Sequence, residues 1–109
     1  MTGFIAERTV DARDASGVRS QFRFGVEAPR QIDDVSWGCR LRVEGIGDRT
    51  DHRVVGYDAW QALTLAIRLV EQLLTYFVED GGSLYWEGSD DPMAVSDVVP
   101  HTSNVKPSP

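Results

Sequence analysis

The chain has 109 residues, of which 41% are hydrophobic and 26% are charged, and its formal net charge is −6. This length fits one domain with a core of its own, and the composition is typical of a globular protein and not of a disordered one. The acidic balance disfavours general binding to nucleic acid, and the absence of a long apolar run predicts no membrane span.

The N-terminus and the cysteine content indicate where the protein resides. Residues 1–7 contain neither a basic stretch nor an apolar stretch long enough for a secretory signal. Cys39 is the only cysteine, so no disulfide can form within the chain, which is usual in a reducing compartment. We therefore expect a cytoplasmic protein.

The first half of the chain has the alternation of apolar and polar residues that is typical of strands with one buried face. The alternation is clearest over residues 18–26 and 35–44, and weaker versions at residues 4–10 and 53–57 predict two more strands. A short fifth strand is expected at residues 83–87, after the helix. The predicted buried faces of the two clear strands comprise Val18, Phe22, Phe24, Val26, Val35, Trp37, Cys39, Leu41 and Val43.

One long helix is predicted over residues 58–79. It begins at a capping box, in which Asp58 accepts from the Gln61 amide and the Gln61 side chain accepts from the Asp58 amide. The pair Gly81-Gly82 predicts its end. Spacings of three and four residues predict a buried face made of Trp60, Leu63, Ile67, Val70, Leu74 and Phe77.

The polar residues of this helix occupy a sector only about 100° wide, which leaves a second apolar strip beside the predicted buried face. Either the sheet curls around the helix to cover this strip, or the strip contacts a second copy of the chain or another protein. The candidate interaction residues on this helix flank are Leu65, Leu69, Leu73 and Tyr76.

These elements predict an α+β fold in the order ββββαβ, with a mostly antiparallel, curled sheet packed on one long helix in the C-terminal half. The last strand either pairs beside the first strand, which we favour because it closes the sheet around the helix, or runs parallel to the fourth. Residues 1–87 are predicted to form the domain, and the prolines and aspartates of residues 88–109 predict a flexible acidic tail. Val95, Val98 and Val99 leave open that part of this tail lies along a sheet edge.

The outer face of the predicted sheet carries an unusual number of arginines. Guanidinium groups on adjacent strands repel one another unless they meet carboxylates or a bound anion. Either Glu7 and Glu27 neutralise this face, or the face binds an acidic partner or a phosphate. The four candidate residues are Arg19, Arg23, Arg40 and Arg42.

The sequence gives little support for a catalytic site or a metal site. Cys39 and His52 are the only plausible pair of nucleophile and base, but the strand phase places Cys39 on the buried face, where burial raises the pKa of a thiol. One cysteine and two histidines are too few for a structural zinc site. We predict no catalytic residue, no metal and no cofactor.

Three motifs stand together in the middle of the chain: Trp37-Gly38-Cys39, Val55-Gly56-Tyr57-Asp58, and Trp60-Gln61-Ala62-Leu63-Thr64-Leu65-Ala66. They resemble a family of short bacterial proteins of unknown function with a W-x-C strand and a G-x-D-x-x-Q-A-L-x-L-A helix start. The resemblance covers about residues 4–87. It implies a bacterial source, and it implies no activity, cofactor or catalytic residue.

The leading hypothesis is a non-catalytic protein-interaction module that uses the helix flank or the arginine face. An accessory or immunity-type protein that binds a basic partner would fit the small size and the negative charge. The alternative is a small-ligand or anion-binding domain that uses the arginine face or a pocket between helix and sheet. That pocket would be lined by Phe22, Trp37, Trp60 and Trp86.

Overall fold

The computed structural model describes residues 3–46 and 51–101. In these residues it contains one sheet, one long helix and one short helix, which confirms the predicted α+β class. The strands are β1 (Phe4–Arg13), β2 (Arg19–Glu27), β3 (Arg30–Gln31), β4 (Trp37–Glu44), β5 (Asp51–Gly56), β6 (Ser83–Tyr85) and β7 (Pro92–Met93). The helices are α1 (Ala59–Glu79) and α2 (Val95–Val98).

Every strand pair in the sheet is antiparallel. Strand β4 carries β5 along one edge, whereas β2 and the short β3 share its other edge. Beyond β2 the sheet continues through β1 and β6 to β7, and the described strands do not close into a barrel. The pairing of β6 with β1 confirms the predicted position of the last strand of the ββββαβ order.

The segment after residue 87 differs from the predicted flexible tail over the part that the structure describes. Residues 88–101 add β7 and α2 to the fold, and Met93 is buried against the core. The sequence pattern did not predict this packing, because polar residues and prolines separate the few apolar residues of this segment. Residues 102–109 lie outside the described residues.

The core lies between α1 and one face of the sheet, which we call the inner face. Its helical side consists of Ala62, Ala66, Val70 and Leu74, which are spaced four residues apart. The predicted buried face was therefore wrong at its first and third members, because Trp60 is 76% exposed and Ile67 is 37% exposed. Small residues at the N-terminal half of the buried face let α1 approach the sheet closely, and a larger residue there would hold the two apart.

The two ends of α1 follow from local chemistry. Asp58 accepts a hydrogen bond from the Gln61 amide at 2.7 Å, as predicted. The Gln61 side chain, however, accepts from the Tyr57 amide at 2.7 Å, one residue before the predicted partner. At the far end the Gly82 amide donates to Phe77, and Gly81 has a φ of 98°, so the helix stops in a left-handed turn.

Within the described residues, neither helix is long and apolar enough to cross a membrane.

Candidate functional site

The four predicted arginines all lie on the face of the sheet opposite α1, which we call the outer face, but they do not form one cluster. Arg23 lies opposite Glu44 on the neighbouring strand, and Arg42 lies opposite Gly25. Arg19 lies further along β2, opposite Arg13 of β1. The register between β2 and β4 thus separates Arg19 from the arginines of β4.

Carboxylates of the chain itself neutralise Arg23 and Arg42. Arg23 lies 3.4 Å from Glu7, and Arg42 lies 2.9 Å from Asp51 and 3.8 Å from Glu44. The Arg42 guanidinium lowers the pKa of Asp51 and is itself held charged by that carboxylate. Both arginines therefore fit the first of the two interpretations of the arginine face, a surface neutralised by carboxylates of the chain itself.

Arg19 is the centre of a second ion-paired group. Its guanidinium donates to Asp11 at 2.9 Å and to Asp90 at 2.6 Å. The Arg19 guanidinium is the main reason that the pKa values of both carboxyls lie below their usual range. Because Asp90 lies beyond β6 in the chain, this group fastens residues 88–91 to the sheet.

Arg40 differs from the other three. It lies directly opposite Arg53 of β5 and has no carboxylate within ion-pair distance among the described residues, and neither has Arg53. Like charges directly opposite each other on neighbouring strands destabilise a sheet. Both side chains line a depression of about 280 Å³, together with Arg30, the backbone of Gly38, and a single acidic residue, Glu27.

We call Arg30, Arg40 and Arg53 the basic surface. Gly38 lies next to it, since a Cβ atom there would lie 2.8 Å from Ile32 and 3.5 Å from the Arg53 stem. Sequence reasoning missed Arg30 and Arg53. The signal that could have identified Arg53 is the antiparallel hairpin of β4 and β5. Residues at equal distances from its loop lie opposite each other, which pairs Arg53 with Arg40.

Exposed apolar side chains occur where the turn before β4, the end of β5 and the start of α1 come together. Trp37, the first residue of β4, pairs with Gly56, the last residue of β5, so the preceding turn and the following helix start meet at this end. Tyr57 is 82% exposed and Trp60 is 76% exposed. We call this set the apolar rim; its members are Ile32, Val35, Val55, Tyr57 and Trp60.

The helix flank presents less apolar surface than the sequence suggested. Leu69 and Leu73 pack against the core, whereas Leu65 is 40% exposed and Tyr76 is 53% exposed. The Tyr76 hydroxyl accepts a hydrogen bond from Gln72 at 2.6 Å. The flank is therefore half covered by the fold itself.

Cys39 and His52 are not arranged as a nucleophile and its base. The Cys39 thiol is fully buried and donates to the backbone carbonyl of Glu27 at 3.3 Å. Burial, and secondarily the charge of Glu27, raises its pKa. The His52 Nε2 atom is buried with no hydrogen-bond partner among the described residues. No group of three potential metal ligands occurs in residues 3–46 and 51–101.

The four aromatic residues expected to line one pocket are dispersed. Phe22 packs edge-on against Phe77 with ring centroids 4.7 Å apart, Trp37 packs against the core, and Trp86 lies under the Arg8 guanidinium. A different apolar groove, of about 300 Å³, lies between the sheet and the two helices. Its lining includes Phe24, Val26, Ile67, Val70, Val98 and Val99.

Comparison with known proteins bears on the predicted family. No curated protein and no solved structure gives a significant match to the chain. One family model, described as a domain of unknown function (DUF6968), matches residues 6–95. The match confirms that the family is an uncharacterised one, and it extends past residue 87 into the segment that carries β7. The chain belongs to the DUF6968 family.

Proposed function

We propose that this domain is a non-catalytic protein-interaction module that binds an acidic partner through the basic surface and the apolar rim. The observation that carries the proposal is the pairing of Arg40 with Arg53, two like charges on adjacent strands without an ion-pair partner among the described residues. Arg19, Arg23 and Arg42, on the same face, have such partners. Like charges on adjacent strands repel each other, and a bound carboxylate group would relieve the repulsion.

The chemistry of the rim supports a protein partner over a free anion. Tryptophan, tyrosine and arginine are the residues enriched where most of the binding energy of protein interfaces is concentrated. Here Tyr57 and Trp60 are exposed, four and seven residues after Arg53 along the chain. This composition favours a partner that offers both carboxylates and apolar side chains. We further propose that the domain acts in the cytoplasm as an accessory or immunity-type protein.

The test is an affinity capture from a lysate of the source organism, quantified by mass spectrometry. The variants are the double substitution Arg40→Glu and Arg53→Glu, and a control, Arg68→Glu, at an exposed helix position with a side chain 74% exposed. We expect a partner that the wild type and the control retain and that the double variant loses. Identical sets of captured proteins for all three would contradict the proposal.

A small anion could bind the basic surface in place of an acidic protein. Thermal denaturation of the wild type with added sulfate or phosphate tests for such binding, because a ligand that binds only the folded state raises the midpoint of unfolding. A rise in the wild type that is absent from the double arginine variant would favour a small anionic ligand over a protein.

The apolar groove supports a second candidate function, the binding of a small apolar ligand. Its volume of about 300 Å³ falls at the low end of the range of ligand pockets. Native mass spectrometry of the purified protein would detect such a ligand as added mass. The variant Val98→Arg, which places a charge in the groove, should lose that mass. A wild type without any added mass after exposure to a lipid extract would argue against this candidate.

A further inference from the structure

Strand β5 lies at an edge of the sheet and carries Arg53 of the basic surface. All six of its residues, Asp51 to Gly56, pair with β4, and no other described strand pairs with it. Its second row of backbone hydrogen-bonding groups is thus not used by any strand that the structure describes. Such a row is a template on which another extended chain can pair.

Strand β5 lacks three of the features that protect an edge strand, a proline, a lysine and a bulge, although it carries the charged residues Asp51 and Arg53. The register with β4 runs through six residue pairs without a bulge, and the strand contains neither proline nor lysine. The other end of the sheet differs, since β7 has only two residues and begins with Pro92. Length and regularity therefore single out β5 among the described edges.

The side chains of β5 indicate what would pair with it. On the outer face Arg53 and Val55 are exposed, and Arg40 lies on the next strand inward. An added strand would place its outer-face side chains within about 5.5 Å of these residues, measured between Cβ atoms. A carboxylate there would meet Arg53, and an apolar neighbour two residues along would meet Val55.

We propose that the acidic partner supplies an extended segment that pairs with β5 as an additional strand and directs its carboxylates to Arg53 and Arg40. This inference rests on the proposed function, since it names the way in which the acidic partner binds. Main-chain hydrogen bonds provide affinity in this kind of recognition, and alternate side chains provide specificity.

A second copy of β5 fits this edge less well than an acidic segment. The one carboxylate of β5, Asp51, already accepts from Arg42 at 2.9 Å. A pairing of two β5 strands centred on Arg53 would set two guanidiniums opposite each other. Charge complementarity thus favours a segment richer in carboxylates than β5 itself.

The experiment selects peptides from a random twelve-residue display library on the immobilised wild-type protein. We expect the selected peptides to alternate acidic and apolar residues. Each is then synthesised in two forms, one normal and one N-methylated at alternate residues along one edge. N-methylation of the edge that faces β5 should weaken binding at least about tenfold, because it removes several main-chain hydrogen bonds.

Two further measurements separate this inference from the proposed function. The first compares peptide binding to the wild type, to the Arg40→Glu and Arg53→Glu double variant, and to Arg68→Glu. The second follows hydrogen exchange of the β5 amides, which the peptide should slow. Binding that depends on the arginines but tolerates N-methylation at every edge and leaves β5 exchange unchanged overturns strand addition and retains the acidic partner. A library that yields no acidic binder overturns both.

Discussion

The Arg19 guanidinium donates to the Asp11 carboxylate across 2.9 Å, and the same carboxylate accepts from the Gly88 amide at 3.1 Å. Asp11 is only 7% exposed and is the one buried charged residue among those the structure describes. A buried carboxylate is stable only where donors surround it. The pair therefore connects β1 and β2 with the chain beyond β6 and makes residues 88–91 part of the folded domain.

The first prediction concerns the charge of Asp11. In Asp11→Asn the side chain no longer carries the negative charge that Arg19 and Gly88 bind, so we expect a lower urea midpoint at neutral pH. Hydrogen exchange of residues 88–93 should become faster. The control is Asp34→Asn, at an exposed position in the turn before β4. Equal midpoints for the two variants would show that Asp11 does not fasten this segment.

The second prediction concerns the stability of the domain at low pH. The hydrogen bond from Arg19 is the largest cause that lowers the folded-state pKa of both Asp11 and Asp90, whereas an unfolded chain has the ordinary aspartate pKa of about 3.9. The stabilisation is therefore complete above that ordinary pKa and is lost as the pH falls through the lowered one. We expect urea midpoints to decrease below about pH 4, and Asp11→Asn should decrease less steeply than the wild type. Parallel curves for the two proteins would contradict this assignment.

Sequence reasoning succeeded where local chemistry decides the structure. The start of α1 depends on Asp58 and Gln61, which are three residues apart, and its end depends on Gly81 and Gly82. The β1 pattern was ambiguous because a register shift occurs between Phe4 and Ala6, so that the phase of the strand changes there. A bulge of this kind depends on the partner strand and leaves little trace in the sequence.

The parts that sequence reasoning missed depend on distant residues. Alternation placed Arg19 and Arg40 on one face, but only the register of β1, β4 and β5 with their neighbours decides that Arg19 meets Asp11 while Arg40 meets Arg53. In the same way, spacing alone could not orient α1, because Trp60 fits the apolar period as well as the residues that the fold buries. The sequence could thus predict which face of the sheet carries the arginines, but not which of them lie close together.

The third prediction tests the orientation of α1. Leu74 is fully buried and Leu65 is 40% exposed, although both lie in the apolar arc of the helix. Leu74→Ala should reduce the free energy of unfolding by about 2–5 kcal/mol, because it leaves a cavity in the core. Leu65→Ala should cost less than about 1 kcal/mol. Urea denaturation of both variants measures this difference, and similar losses would mean that the helix is rotated about its axis.

The fourth prediction compares two glycines of the hairpin formed by β4 and β5. A Cβ atom at Gly56 would lie 2.7 Å from the backbone nitrogen of Ala62, whereas one at Gly38 would meet the flexible end of Ile32 at 2.8 Å. Gly56→Ala should therefore destabilise by about 1–3 kcal/mol, since the helix backbone cannot yield without losing packing. Gly38→Ala should change stability by less than about 1 kcal/mol in either direction. Denaturation curves that rank the two variants in the opposite order would contradict the close approach of α1 to β5.

The fifth prediction concerns the Cys39 thiol, the only thiol of the chain. It is fully buried, donates to the Glu27 carbonyl, and has a pKa raised by burial and by the Glu27 charge. Both effects reduce the population of the thiolate, which is the form that attacks a disulfide reagent and that a catalytic cysteine requires. We expect the folded protein to react with a coloured disulfide reagent only as fast as it unfolds, and the protein in guanidinium chloride to react at once. Rapid reaction of the folded protein at neutral pH would instead mean that the thiol is accessible as a thiolate, and it would restore Cys39 and His52 as a candidate catalytic pair.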